Sequence, residues 1–269
     1  MSTVAAPPLD VRITHIGGPT ALLEIGPWRL LTDPTFDAPG RRYVFAPLIS
    51  STKLAGPVVQ PDAVLPIDAV LLSHDHHDDN LDDAGRALLP QCGRTITTPA
   101  GAKRLGAGTT GLAPWEQTTL EAAGRPAITI TATPARHGPP GSRPLVGQVT
   151  GFLLQWDGQR DGALWISGDT VWFAGVQQVG ERFDVGTAIL HFGGVRFPVS
   201  GPMRYTMNAA EGVRVARELG PRTIVPIHFE GWKHFREGRD VIEREFAQAG
   251  LTDRLQWLVP GEAAPLSGC

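Results

Sequence analysis

The sequence contains few cysteines, no cluster of basic residues and no long apolar run. Its two cysteines, Cys92 and Cys269, form no Cys-x-x-Cys pair and are too few for a disulfide framework. The formal net charge is −3 and Lys and Arg form no block, which disfavours a surface that binds nucleic acid. No stretch approaches the roughly 18 uninterrupted apolar residues of a membrane-spanning helix, so we expect no membrane span.

The amino terminus also lacks a charged segment followed by an apolar one, which is the pattern of a secretory signal. We therefore expect a soluble, cytoplasmic protein. With 269 residues, of which 42% are hydrophobic, the chain is long enough to bury a substantial core. No composition break divides it, so we predict one domain over residues 1–269, with a flexible segment at 1–10 and a tail at 261–269.

Short apolar or alternating runs, mostly bounded by Gly, Pro or Asp, predict the strands of packed sheets. These predicted strands are Val11–Ile16, Ala21–Ile25, Trp28–Thr32, Ala69–Leu72, Ile128–Thr133, Phe152–Gln155, Ala163–Ile166, Ala188–Leu190 and Thr223–Ile227. The predicted helices are Leu81–Leu89, Ala209–Leu219 and Asp240–Ala249. Loops are predicted at Ala38–Pro61 and His137–Gly147.

Residues 73–82 read SHDHHDDNLD and directly follow the apolar run 69–72. Histidines two positions apart on an extended or tightly turning segment can direct two imidazoles at one point. Four carboxylates this close would repel one another and raise their own pKa values, whereas a divalent cation keeps them ionised and accepts imidazole lone pairs. We interpret the segment as part of a metal site, and a solvated polar loop is the alternative.

Three other apolar runs end in the same way. The run ITITAT leads to His137, ALWIS leads to Asp169, and TIVPI leads directly to His228. Open sheets usually place their chemistry just beyond the ends of strands, so we expect these side chains to meet at one edge. A histidine considered alone is more often structural, but the coincidence of all these placements favours metal ligands.

Together these residues resemble the metallo-β-lactamase superfamily, whose leading motif is H-x-H-x-D-H. The segments IDAVLLSHDHHDDNLD and TMNAAEGVRVARELGPRTIVPIHF resemble the branch that contains L-ascorbate-6-phosphate lactonase and the N-acyl-phosphatidylethanolamine phospholipase D. The resemblance covers nearly the whole chain. It implies an α/β fold, namely a four-layer αββα sandwich in which two mixed sheets pack face to face, with a metal site at one edge.

The resemblance also implies two divalent metal ions and their ligands. The implied ligands of the first metal are His74, His76 and His137. The implied ligands of the second metal are Asp78 and His228, and Asp169 is implied to bridge both metals. The final histidine of the motif is replaced by Asp79 in this sequence. If Asp79 ligates, the second site is rich in oxygen and favours Mn²⁺ or Fe²⁺, whereas three imidazoles suit Zn²⁺ at the first. If it does not, the second site is weak or empty.

The expected chemistry comes from the metal, because a bound divalent ion lowers the pKa of its water from about 15.7 towards about 7 and so supplies hydroxide. We expect Asp78 to orient that water. His191 follows another apolar strand and is expected to donate a proton or to contact the substrate. Asp33 lies in Thr32-Asp33-Pro34, which resembles the family's TDP segment. It is expected to hydrogen-bond a ligand histidine, or else to begin a turn before Pro34.

Other residues near these motifs have secondary roles. His77 is expected to form a wall of the site, and His234 to lie on a surface loop. Trp172 and Phe173 could give the pocket an apolar surface. An anionic group such as phosphate could be held by basic side chains, for which the candidates are Arg136, Arg204 and Lys233.

The resulting hypothesis is a metal-dependent hydrolase that attacks a lactone, ester or related bond in a small molecule. A phosphodiesterase or nuclease of the same fold is an alternative, which the missing basic patch disfavours. A non-hydrolytic, iron-binding redox protein is a further alternative, to which Asp79 gives some weight. The expected partner is a small-molecule substrate.

Overall fold

The computed structural model describes residues 7–46 and 49–267. In chain order the strands are β1 (Val11–Gly17), β2 (Thr20–Ile25), β3 (Trp28–Thr32), β4 (Arg42–Ala46), β5 (Ile49–Thr52), β6 (Ala69–Leu71), β7 (Thr95–Thr97), β8 (Thr109–Gly111), β9 (Gln117–Leu120), β10 (Ile128–Pro134), β11 (Thr150–Gln155), β12 (Ala163–Ile166), β13 (Val185–His191), β14 (Thr223–Ile227) and β15 (Ala263–Pro265). The helices are α1 (Pro61–Val64), α2 (Asp83–Leu88), α3 (Pro99–Leu105), α4 (Arg143–Val146), α5 (Ala174–Arg182), α6 (Ala209–Glu218) and α7 (Arg239–Gln248).

Two mixed sheets and a separate hairpin, β4–β5, contain these strands. The first sheet has the order β15-β1-β2-β3-β6-β7-β8, and the second has the order β14-β13-β12-β11-β10-β9. In the first sheet β3, β6, β7 and β8 are parallel. In the second sheet β12, β13 and β14 are parallel, and β10 runs the same way because two antiparallel pairings separate it from β12. The carboxyl ends of these strands therefore share one edge of each sheet.

The central strands bury apolar side chains on both faces, which fixes the order of the layers. In β2 and β3, Leu23 and Leu30 join a core that also contains residues of the second sheet. Leu22 and Leu31, which point to the opposite face, join a core with residues of α1 and α2. Burial on both faces explains why these strands read as continuous apolar runs rather than as alternating ones.

Helices cover the outer face of each sheet. Val64 of α1 and Leu88 of α2 pack on the first sheet, and α5, α6 and α7 pack on the second sheet around Trp165. The order helix, sheet, sheet, helix confirms the predicted four-layer αββα sandwich. In the part of the chain that the structure describes, no helix is both long enough and apolar enough to cross a membrane.

Most of the predicted elements occur, and the differences have local causes. Helix α2 begins at Asp83 rather than at Leu81, because the side chain of Asp82 caps it. The predicted loops contain the hairpin β4–β5 and the one-turn helix α4, and the predicted tail contributes β15, which pairs with β1. Helix α5 lacks a side-chain cap, so no start signal marks it. Residues 1–6, 47–48 and 268–269, which include Cys269 and parts of the predicted flexible segment, loop and tail, lie outside the described residues.

Asp82, the last residue of the SHDHHDDNLD segment, connects three parts of the fold. Its Oδ1 accepts the N–H groups of Phe36 and Gly85 at 2.9 and 2.8 Å. Its Oδ2 accepts the N–H of Asp37 at 2.7 Å and Nζ of Lys53 at 2.8 Å. Asp82 and Lys53 are both buried. The carboxylate therefore ties the chain after β3 to the start of α2 and to the end of the hairpin.

We predict that Asp82→Ala lowers the free energy of unfolding by about 3–5 kcal/mol, because a buried ammonium and three backbone N–H groups lose their acceptor. The matched control is Asp83→Ala, which removes a largely exposed carboxylate paired with Arg41. This control should cost less than about 1 kcal/mol. Urea denaturation followed by circular dichroism measures both variants, and equal losses would contradict the anchoring role of Asp82.

Candidate metal centre

Strand ends deliver histidines and aspartates to one edge of the sandwich, as the parallel topology requires. In the second sheet His137 follows β10, Asp169 follows β12 and His228 follows β14. In the first sheet His74 follows β6. The two edges adjoin, because the first residue of β11 donates its N–H to the carbonyl of the residue before His74 at 3.1 Å.

Three imidazoles form what we call the three-histidine group: His74, His77 and His137. Nδ1 of His77 lies 3.1 Å from Nε2 of His74 and 3.1 Å from Nε2 of His137. A ring nitrogen has either one hydrogen or one lone pair in the ring plane, so it cannot satisfy both contacts. Two ligands of a tetrahedral Zn²⁺, each about 2.0–2.1 Å from the ion, are about 3.3 Å apart. The spacing therefore fits a shared cation.

Burial and mutual repulsion keep these imidazoles neutral. Burial, reinforced by the neighbouring histidines, holds the pKa of His74 and the pKa of His77 well below the usual value. Burial also lowers the pKa of His137, although the carboxylate of Asp169 opposes this shift. Because a metal binds the lone pair of a neutral imidazole, the protonation state of the group fits a cation site.

A second cluster, which we call the carboxylate group, consists of Asp79, Asp169 and His228. Nε2 of His228 lies 3.7 Å from Oδ2 of Asp79 and 3.7 Å from Oδ1 of Asp169, which is too long for a hydrogen bond. All three side chains are buried. Both oxygens of Asp169 and Nε2 of His228 lack a hydrogen-bond partner within the described residues. Unpaired buried carboxylate oxygens are strongly destabilising, so this donor set fits a divalent cation as well.

The pKa directions in the carboxylate group show that it attracts positive charge. Burial alone would raise the pKa of Asp79, but the imidazoles of His228 and His234 hold it well below the usual value. Burial alone would lower the pKa of His228, but the carboxylates of Asp169 and Asp79 raise it to about 9. A metal ion bound here would take the place of the proton on His228.

The structure does not bring His76 into the three-histidine group, although the motif spacing predicts it there. Nε2 of His76 contacts the carbonyl oxygen of Val146 instead, and part of the ring is exposed to solvent. The cause is a turn over residues 75–81, in which the N–H of Leu81 donates to the carbonyl of His77 at 2.9 Å. This turn directs His77 towards His74, one position later than the H-x-H spacing requires.

The same shift applies to the predicted aspartate ligand. Asp78 is partly exposed and lies outside both groups, whereas its neighbour Asp79 joins the carboxylate group. Burial, with the nearby Asp79 and Asp83 carboxylates, raises the pKa of Asp78 to about 6. The structure therefore places Asp79, rather than Asp78, beside Asp169 and His228.

Contacts behind the three-histidine group determine which nitrogen faces the cation. Nδ1 of His74 lies 2.9 Å from Oγ of Ser73, and Nδ1 of His137 donates to the carbonyl oxygen of Tyr205 at 2.7 Å. Each contact leaves Nε2 of the ring for the metal and holds the ring in position. No pattern in the sequence indicates that the backbone carbonyl of Tyr205 contacts a ligand histidine.

Asp33 and His191 form a buried pair behind the site. Nε2 of His191 lies 3.1 Å from Oδ2 of Asp33, and Oδ1 of Asp33 accepts the N–H of Ser73 at 2.6 Å. His191 is fully buried, so its place does not suit the predicted proton donor or substrate contact. Asp33 supports the residue before His74 rather than the ring of a ligand histidine.

His234 belongs to the site, although sequence reasoning places it on a surface loop. It is buried, with Nε2 3.0 Å from Oδ2 of Asp79 and Nδ1 2.6 Å from Oγ of Ser51. Its loop pairs with the hairpin, since the N–H of Lys233 donates to the carbonyl of Thr52 at 3.0 Å. No apolar strand leads directly into His234, so no periodic pattern in the sequence marks it.

Backbone strain is concentrated at the same edge. Asp33 and His228 have φ values of +29° and +57°, which non-glycine residues adopt rarely. Gly168, which precedes Asp169, has φ +59°, and a Cβ at this position would lie 2.4 Å from the carbonyl oxygen of Thr150. Such strain is typical of functional sites, where the surrounding structure holds a side chain in a required direction.

Two cavities adjoin the centre. The first, of about 240 Å³, is lined by His77, Asp79 and His137 together with His234 and mostly apolar residues. The second, of about 350 Å³, shares His137 but lies against α3 and the segment 112–114, and Arg136 lines it. The first cavity therefore contacts residues of both metal groups, whereas the second contacts the three-histidine group alone.

A four-layer αββα sandwich with paired histidine and carboxylate groups at one sheet edge defines a metal-binding protein of the metallo-β-lactamase fold. The protein family described as Beta-lactamase superfamily domain matches residues 28–229 of this chain. The chain belongs to this superfamily, which confirms the resemblance to the superfamily found in the sequence.

Relatives support this membership. The UPF0173 metal-dependent hydrolase of Deinococcus radiodurans is 29% identical over 268 residues, which cover 95% of this chain and 100% of that protein. The UPF0173 metal-dependent hydrolase of Methanoregula boonei is 31% identical over 119 residues, so the match spans 43% of this chain and only about half, 47%, of that relative. The crystal structure of the isothiocyanate hydrolase from Delia radicum gut bacteria has a TM-score of 0.79 at 21% identity, covering 95% of this chain and 99% of that one. This likeness concerns the fold.

We predict that His77→Ala removes about one zinc ion per chain, because it deletes the nitrogen that both other members of the three-histidine group face. His76→Ala is the matched control and should retain the zinc content of the unmodified protein. Elemental analysis after dialysis against equal zinc measures both, with circular dichroism as the check on folding. The opposite result, with zinc lost in His76→Ala and retained in His77→Ala, would show that His76 is the ligand, as the H-x-H motif implies. It would contradict the assignment of His77 to the three-histidine group.

Proposed function

We propose that this chain is a metal-dependent hydrolase that cleaves an ester, lactone or related bond in a small molecule. The observation that carries the proposal is the pair of buried ligand groups beside one cavity, in which both carboxylate oxygens of Asp169 and Nε2 of His228 lack a hydrogen-bond partner within the described residues. Superfamily membership supports the proposal, as do relatives whose names describe metal-dependent hydrolases.

One divalent ion would be held by the three-histidine group and a second by the carboxylate group, and the resemblance to the superfamily implies that Asp169 would be a ligand of both. Three imidazoles suit Zn²⁺, and two carboxylates with one imidazole also suit Mn²⁺ or Fe²⁺. When bound, such an ion lowers the pKa of a coordinated water from about 15.7 towards about 7 and polarises the substrate oxygen under attack.

Asp79 is the residue to which we assign the orientation of the attacking water. It lines the 240 Å³ cavity, and its Oδ2 lies 3.0 Å from Nε2 of His234. Because a carboxylate only accepts hydrogen bonds, the contact with Asp79 requires the hydrogen of His234 on Nε2, and the hydroxyl of Ser51 can donate to Nδ1. His234 then donates to Asp79 and fixes the carboxylate, while the remaining oxygen of Asp79 is left to accept a hydrogen bond from the water.

A substrate panel tests the proposed function. Protein reconstituted with zinc or manganese is assayed on lactones, carboxylic esters and phosphodiesters, and we expect hydrolysis of the first two classes. A chelator should abolish the activity and added metal should restore it. Turnover confined to phosphodiesters would favour the nuclease-like alternative. Bound iron with visible absorption and no hydrolysis would favour the redox alternative.

We predict that Asp169→Asn lowers kcat/KM by at least about 100-fold on the best panel substrate. Residues that merely support metal ligands already contribute about 10–100-fold, and Asp169 supplies the ligand atoms themselves. The control is Asp157→Asn, an exposed aspartate after β11, which should leave kcat/KM unchanged. Full activity in Asp169→Asn would contradict the assignment of this residue to the reacting centre.

A further inference from the structure

The 240 Å³ cavity that touches both metal groups is suited to one kind of chemical group. His77, Asp79 and His137 contribute one part of its lining. The hairpin contributes Phe45 and Ile49, which come from β4 and β5. A substrate that occupies this cavity with its scissile bond beside the metal groups must therefore place its remaining atoms against the hairpin and the neighbouring loop.

The rest of the lining is aromatic and aliphatic. Phe45 contacts Phe197 with ring centroids 6.0 Å apart, and Phe197 contacts Tyr205 at 5.8 Å. Val195 also lines the cavity. The rings are tilted edge to face, which is the favourable geometry for aromatic side chains, and one face of the Phe197 ring stacks on His234 at 5.3 Å.

Charge compensation for an anionic group is missing from this wall. Among the described residues that line the cavity there is no lysine or arginine. Two basic residues that the sequence suggests for phosphate are engaged elsewhere: Arg204 pairs with Glu211 at 2.9 Å, and Arg136 lies over the ring of Phe173. A negatively charged group held against Phe45, Phe197 and Val195, away from the metal groups, would lose its water without gaining a basic partner, which is unfavourable.

Two polar side chains of the lining, Ser142 and His234, are already hydrogen-bonded. Oγ of Ser142 donates to the carbonyl oxygen of His137 at 3.0 Å. Both ring nitrogens of His234 are occupied, by Asp79 and Ser51. The wall therefore offers a mainly apolar surface, to which Tyr205 adds one hydroxyl.

The size of the cavity limits the group further. Its volume is about 240 Å³. Sites for drug-sized ligands are larger, at roughly 300–1,000 Å³. The space suits a single aromatic ring or a branched alkyl group with a short linker to the reacting bond.

We propose that the substrate carries an uncharged, compact apolar group, such as one aromatic ring, which binds between Phe45, Phe197 and Val195 while the scissile bond faces Asp79. This inference rests on the proposed hydrolase function for the direction of the bond. It excludes substrates whose non-reacting part is phosphorylated or otherwise anionic.

Calorimetric titration of the zinc-loaded protein with two probes tests the inference. The probes are benzyl alcohol, which is neutral, and benzenesulfonate, which has the same ring and a negative charge. We expect benzyl alcohol to bind at least about tenfold more tightly. Phe197→Ala should weaken benzyl alcohol binding about tenfold, whereas Val199→Ala, which alters an exposed side chain of the same loop, should not.

A charge insertion gives the converse test. Ile49→Arg places a guanidinium in the cavity wall and should reverse the preference, so that benzenesulfonate binds more tightly than benzyl alcohol. The control Val44→Arg adds the same charge at a position that is 69% exposed on the neighbouring strand, and it should keep the original preference. Tighter binding of benzenesulfonate to the unmodified protein, or equal effects of Phe197→Ala and Val199→Ala, would overturn the inference.

Failure of this inference and failure of the proposed function give different results. One result is preferential binding of benzyl alcohol that depends on Phe197, without hydrolysis of any panel compound. It would support the apolar binding site and contradict the proposed hydrolase function. The other result is hydrolysis with a preference for esters bearing an anionic ring, such as 4-sulfophenyl acetate over phenyl acetate. It would support the hydrolase function and contradict the apolar binding site.

Discussion

Buried carboxylates and imidazoles are stable at the edge of a protein sandwich only when positive charge lies among them. In this chain two carboxylates and four histidines meet there, and Asp169 has no hydrogen-bond partner within the described residues. The low dielectric of the interior makes such a group costly to leave uncompensated and strengthens its attraction for a cation. The architecture around the site can be understood from this constraint.

The sandwich meets the constraint by holding the donors rigidly. Parallel strands of the two sheets end at adjoining edges, and left-handed backbone at Asp33 and His228 turns the chain sharply there. Behind the donors, Asp33 holds the residue before His74, and Asp82 anchors the end of the SHDHHDDNLD segment. Ligands fixed by such contacts need little reorganisation when a metal binds.

The sequence predicts much of the fold because its central strands are buried on both faces and read as apolar runs. It also predicts that His137, Asp169 and His228 meet, because each follows a strand whose direction the topology fixes. It does not distinguish His77 from His76, since a tight turn rather than a strand sets the direction of those side chains. It does not predict His234 either, because that position depends on pairing between a loop and the hairpin that lies about 180 residues earlier, with Ser51.

The most direct measurement of the central claim is a crystal structure of the protein grown with zinc, with anomalous scattering recorded at the zinc absorption edge. We expect an anomalous peak about 2.0–2.2 Å from Nε2 of His74, Nδ1 of His77 and Nε2 of His137. A peak coordinated by His76 in place of His77, or no peak within the three-histidine group at full zinc occupancy elsewhere, would contradict it.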